Sequence, residues 1–123
     1  MTKIQNNKRI YDLEERTYQF AKSVRIFCKE LPKSLLNSDD IKQLIRSSGS
    51  IGANYIEANE SLSKKDFLMR VKISRKEAKE SIYWLRLISE TEQNINKDNV
   101  NNLINEATEL LKILSSIIEK CKE

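Results

Sequence analysis

Apolar residues recur at spacings of three and four along four separate stretches of this chain, the period of a helix with one buried stripe. Leu13, Thr17, Phe20, Ala21, Val24, Phe27, Cys28 and Leu31 predict a first helix, opened by an Asp12–Glu15 capping box and stopped by Pro32. A second is expected to begin at Ser38 or Asp39 and to carry Ile41, Leu44, Ile45, Ser48, Gly52, Tyr55 and Ile56 on one side. Its middle, Ser47 to Ala53, has two glycines, each costing about 1 kcal/mol against alanine in a helix. The stripe stays in phase on both sides of it. Small residues three and four apart also let a neighbouring helix come close, so the helical reading is preferred to a loop. Ser63 and Asp66 form a capping box for a third helix that buries Phe67, Val71, Ser74, Ala78, Ser81, Leu85 and Ile88 and runs to about Glu90. After a break at Asn94 to Asn96, Val100, Leu103, Ile104, Ala107, Leu110, Leu111, Leu114, Ile117, Ile118 and Cys121 give the cleanest amphipathic segment of the four.

Four helices with short links pack most simply as an all-α, antiparallel up-and-down four-helix bundle. Residues 1–8 are polar and unpatterned and read as a disordered tail, leaving 9–123 as one bundle domain. Composition agrees: 2 glycines and 1 proline in 123 residues are too few for the turns of a sandwich or barrel. No charge-free stretch approaches the ~20 residues of a membrane span, and no signal-peptide pattern is present, which predicts a cytoplasmic protein. Cys28 and Cys121 lie far apart and match no redox or metal motif, so both are expected to be reduced thiols.

The chain contains no histidine. That removes Ser-His and Cys-His nucleophile pairs, histidine-ligated metals and the Glu-x-x-His motifs of di-metal bundles, so neither a metal nor another cofactor is expected. An acid–base pair such as Glu57 with Lys76 is the remaining enzymatic option, and a non-enzymatic protein is the stronger expectation. Gly49-Ser50-Ile51-Gly52 matches a Gly-x-x-Gly nucleic-acid clamp in spelling only, since that module needs strands.

Net charge is +4, but its distribution is uneven. Residues 63–79 hold Lys64, Lys65, Arg70, Lys72, Arg75, Lys76 and Lys79 against Asp66 and Glu77, a net +5. Clustered cations of this kind bind phosphate backbones by releasing condensed counterions, and the plainer alternative is a solvated face with pairs such as Lys76–Glu80. Met69, Ile73, Trp84 and Leu87 are rotated away from the third helix's core stripe and form a candidate subunit interface, with stacking of bases on Tyr83 or Trp84 a lesser option. Arg46, Asn54, Glu57 and Tyr83, with Arg75 as a further candidate, are expected to form a buried polar network that fixes helix register.

Three stretches together carry a family resemblance: Gln43 to Ala58, Ser63 to Phe67, and Lys76 to Ile88. They resemble the bacterial four helix bundle proteins, the family of 23S rRNA intervening-sequence proteins, whose genes can lie inside extra segments of large-subunit ribosomal RNA. The family's Ser-Ile-x-x-Asn-x-x-Glu pattern falls on Ser50, Ile51, Asn54 and Glu57. Gly52 stands where many members have proline and Ala58 where they have glycine, so neither a kink at 52 nor a tight turn after 57 follows. The resemblance implies an antiparallel bundle assembling as a ring-shaped homopentamer, similar to the accessory protein of diversity-generating retroelements. The expected function is binding of ribosomal RNA or other nucleic acid through the basic patch. The rival expectation is a protein-interaction or scaffolding module, such as an accessory subunit recruiting a nucleic-acid enzyme, without direct nucleic-acid contact.

Overall fold

The computed structural model describes residues 2–122, with side chains for 13–122. Four helices follow one another: α1 (Thr2–Glu30), α2 (Leu35–Asn59), α3 (Lys64–Thr91) and α4 (Lys97–Cys121), and the described residues form no strand. The backbone is helical from Thr2, so Asp12 is not an N-cap; no glycine or proline precedes Pro32 to interrupt it. α1 runs through the boundary expected between residues 8 and 9, and the side chains of that segment lie outside the described ones.

α1 ends just before Leu31-Pro32, where the proline ring disfavours helical geometry in the preceding residue. α2 then starts at Leu35, three residues ahead of the earlier of the expected starts. Ser34 is its N-cap: the Ser34 hydroxyl accepts from the Asn37 amide at 3.2 Å, and Asn37 Oδ1 accepts from the Ser34 amide at 3.1 Å. The buried Asn37 amide group also donates to the Pro32 carbonyl at 2.8 Å and to Glu92 Oε1 at 2.6 Å, tying the start of α2 to the end of α3. Hydrophobic periodicity could not reveal this start, because Leu35 and Leu36 are 99% and 79% exposed.

From there α2 is continuous through both glycines. A Cβ on Gly52 would sit 2.8 Å from Thr17 Oγ1, so the absent side chain is what lets α1 pack this closely. Ile56, expected in the stripe, is exposed, and Ser47, Ile51 and Ala58 are buried in its place. α3 buries Val71, Ser74, Ala78, Ser81, Leu85 and Ile88 as its spacing predicts, with Phe67 only half-buried, and Ser63 caps it by accepting from the Asp66 amide. α4, capped by Asn96, buries Val100, Leu103, Ala107, Leu110, Leu114 and Ile118.

The core draws on all four helices. α2 packs on α3, α3 on α4, and α1 on both α2 and α4, while among the described residues the backbones of α1 and α3 do not approach closely and neither do those of α2 and α4. α1 and α3 therefore occupy opposite corners. Serines line the α2–α3 seam and are satisfied there: Ser74 donates to the Ile51 carbonyl at 2.7 Å, and the Ser47 and Ser81 hydroxyls bond each other at 2.9 Å. Among the described residues no buried side-chain nitrogen or oxygen lacks a partner. Both cysteines are free thiols, and burial pushes Cys28 up to about 11 against the opposing pull of Arg25. No helix among the described residues is long and apolar enough to cross a membrane.

Candidate nucleic-acid interface

At 3.6 residues per turn, the intervals of seven, four and three between Lys65, Lys72, Lys76 and Lys79 place them in one row. That row lies opposite the buried Val71–Ala78–Leu85 stripe, and all four side chains are exposed. Lys64 and Arg75 flank it on the side away from α2. Arg70 lies on the α2 side and donates to Asn54 Oδ1 at 3.1 Å. Tyr83, 56% exposed, continues the row one turn beyond Lys79, its ring edge-on to Trp84 with centroids 5.0 Å apart.

Two carboxylates of the same helix, Glu77 and Glu80, are drawn to the α2 side. Arg46 of α2 reaches across the seam, with Nη1 3.2 Å from Glu77 Oε2 and Nη2 2.7 Å from Glu80 Oε2. The Lys76–Glu80 pair considered from sequence is absent, because Glu80 points to the α2 side where Arg46 holds it. Among the described residues none of the seven cations forms an ion pair. The row is thus not paired off by neighbouring carboxylates.

The expected polar network divides in two. Arg46 binds Glu77 and Glu80, while Asn54 accepts from Arg70 and donates to the Ser50 carbonyl at 2.9 Å. Glu57 is exposed and joins neither: it follows Arg46 by eleven residues, about 16 Å along the helix at 1.5 Å per residue. Tyr83 is also outside the network, on the lysine face, and Arg75 is on the wrong side of α3 to join it. Burial raises Glu77 above the usual carboxylate range, reinforced by neighbouring Glu80, whereas the hydrogen bond from Arg46 holds Glu80 below it.

Replacing Arg46 with methionine leaves these two carboxylates facing each other at the seam. The unfolding free energy is expected to fall by about 1–2 kcal/mol, the range for losing a charge-assisted hydrogen bond to a half-buried group. Adding Glu77→Gln to that variant should recover most of the loss in a urea titration. No recovery would mean that Arg46 acts through packing.

Of the candidate interface residues, Met69 is 51% exposed, and Ile73, Trp84 and Leu87 are half-buried. They form a strip between the lysine row and the α2 seam, with the Trp84 indole against the core cluster and its Nε1 3.4 Å from Glu80 Oε1. The described residues contain no cluster of three His, Cys, Asp or Glu side chains able to hold a metal.

Residues 10–116 match the family model described as "23S rRNA-intervening sequence protein". The chain belongs to the 23S rRNA-intervening sequence protein family. A solved structure of a member of the S23 ribosomal protein family from Bacteroides thetaiotaomicron VPI-5482, described as a protein of unknown function, is similar to it. Identity is 34% over 86% of this chain and 97% of that one, with a TM-score of 0.76. No curated protein matches. In this chain the Ser-Ile-x-x-Asn-x-x-Glu residues are all helical and do separate work. Ile51 fills the core, Ser50 donates to the Arg46 carbonyl, Asn54 receives Arg70, and Glu57 faces outward.

Proposed function

We propose that this chain is a non-enzymatic cytoplasmic protein that binds structured RNA, or another nucleic acid, through the outer face of α3. The observation that carries this reading is the lysine row Lys65, Lys72, Lys76 and Lys79, whose neighbouring carboxylates are taken up by Arg46. Lys64, Arg70 and Arg75 widen the row on its two sides, and Tyr83 offers a ring at its end. Lysine contacts of this type read phosphates rather than base edges, so binding is expected to be largely independent of sequence. The family's link to intervening sequences of 23S rRNA supports RNA as the partner.

The bundle is read as up-and-down and antiparallel. In support, the α2–α3 bonds Asn54–Arg70, Ile51–Ser74 and Ser47–Ser81 pair residues in opposite order along the two helices. The strip Met69, Ile73, Trp84 and Leu87 supports assembly with further copies of the chain, five by the family resemblance, in a ring. Such a ring would repeat the lysine row, so weak contacts combine through effective concentration.

The test is fluorescence anisotropy of the full chain with a 23S rRNA hairpin at increasing salt. A subunit engaging four or five phosphates gives a log–log slope of about −3 to −4. Absence of binding at low salt, or a flat slope, overturns the reading in favour of a protein-recruiting module built on the Met69–Leu87 strip.

A further inference from the structure

α1 carries a second basic strip that the charge census by segment does not expose. Tyr18, Lys22, Arg25 and Lys29 are spaced four, three and four residues apart, which sets them in one line on the outer surface. All four are exposed, Tyr18 by 61%. Together with Ala21 and Ile26 they line an open depression of about 490 Å³. None of the three cations forms an ion pair among the described residues.

Glu14 and Glu15, one turn before Tyr18, are the carboxylates of α1 nearest the strip along its line, and both are hydrogen-bonded. Glu14 accepts from Asn59 at 2.8 Å, Glu15 accepts from Gln19 at 2.6 Å, and Glu106 of α4 holds Arg16 through two bonds of 2.7 and 2.9 Å. Arg25 is moreover held in place. Its Nη1 donates to the Ala21 carbonyl at 3.1 Å and its Nη2 to the Ile45 carbonyl at 3.4 Å. The guanidinium lies over Gly49, where a Cβ would come within 3.1 Å of Nη2. Three of its five N–H groups remain for a ligand, and their orientation is already set.

We infer that this strip is a second nucleic-acid site, one that takes the phosphates of an unpaired strand with a base stacked on Tyr18, and that each subunit thereby bridges two strands. The inference rests on the α3 reading for its first strand. An exposed aromatic ring in line with cations is the arrangement that holds single strands without reading their sequence. From Tyr18 to Lys29 the strip is about 16 Å long at 1.5 Å per residue, room for about three phosphates. Bridging follows from the packing order. α1 and α3 occupy opposite corners, so their outer faces point away from each other and one straight segment cannot lie on both.

The experiment is a two-RNA capture with the full chain. A biotinylated uridine 20-mer is immobilised, and a fluorescent 23S rRNA hairpin is offered with the protein. Wild type is expected to retain the hairpin on the beads. The Lys22→Glu/Lys29→Glu variant should lose at least tenfold in retention while its affinity for the hairpin in solution stays within about twofold. Tyr18→Ala should weaken uridine binding about tenfold, within the range for one base stack, and leave the hairpin untouched. Retention by the double variant equal to wild type overturns the second site, because several α3 faces of a ring would then account for bridging. A wild type that binds the hairpin without bridging also overturns this inference and leaves the α3 reading standing. Binding of neither RNA removes both.

Discussion

Gly52→Leu is expected to lower the unfolding free energy by about 2–3 kcal/mol, about 10 °C in melting temperature for a domain of this size. The site has no room for a side chain, since the first added carbon would lie 2.8 Å from Thr17 Oγ1 and 3.1 Å from Thr17 Cβ. Thr17 cannot easily yield. It is fully buried and branched at Cβ, and its hydroxyl donates to the Glu14 carbonyl at 2.9 Å. Relief must therefore come from moving α1 off α2. A gain of up to about 1 kcal/mol in helix propensity offsets part of the strain. Gly49→Ala provides the internal control. Its Cβ would meet only the Arg25 guanidinium, which has to shift by a few tenths of an ångström and strains at most its 3.4 Å bond to the Ile45 carbonyl, so the propensity gain dominates and the protein is stabilised by about 0.5–1 kcal/mol. Two glycines three residues apart should thus respond with opposite sign in thermal melts. A shift of the same sign at both would show that close approach of α1 is not what requires Gly52.

Much of this architecture can be read from residue spacing, because burial of a stripe is a one-dimensional signal. The α3 residues from Val71 to Ile88 are buried as their intervals require, and the glycine-containing stretch of α2 is helical as the continuous phase around it demands. Features that depend on contacts between helices are less legible. The start of α2 relies on Asn37 reaching Glu92, 55 residues away, and Arg46 finds Glu77 and Glu80 more than 30 residues on. Neither pairing leaves a periodic trace. The polar network grouped Arg46 with Glu57 although helix rise alone separates them by about three turns. The α1 strip was within reach of the sequence, at spacings of four, three and four from Tyr18. Counting charge by segment conceals it, since Glu14, Glu15 and Glu30 offset the cations in the sum, although Glu30 lies off their line and Glu14 and Glu15 lie one turn before Tyr18.

The largest functional effect is expected from reversing three lysines of the α3 row at once, Lys72→Glu, Lys76→Glu and Lys79→Glu. Each change removes a phosphate contact and leaves a repulsive charge. Affinity for an RNA hairpin should fall roughly 100- to 1000-fold at 0.1 M salt, and the log–log salt slope should flatten by about 2–2.7. These side chains are exposed and unpaired, so the fold should tolerate the changes with little loss of stability. Net charge alone is the competing cause, because each reversal subtracts two and the triple takes the chain from +4 to −2. Reversing Lys112 and Lys120 of α4 and Lys122, its C-cap, to glutamate changes the total identically but alters no cation of the α3 row. That variant should lose far less than the α3 triple, since it removes none of the row's phosphate contacts. Equal losses from the two triples would mean that RNA senses only overall charge. Arg46→Met links the two halves of the molecule's electrostatics. It touches no phosphate in this arrangement, yet it releases Glu77 and Glu80 beside the lysines, and their local repulsion should weaken RNA binding several-fold. With Glu77→Gln and Glu80→Gln added, affinity should return to near the wild-type value. This result would identify Arg46 as the residue that keeps the α3 face positive by occupying its acids from behind.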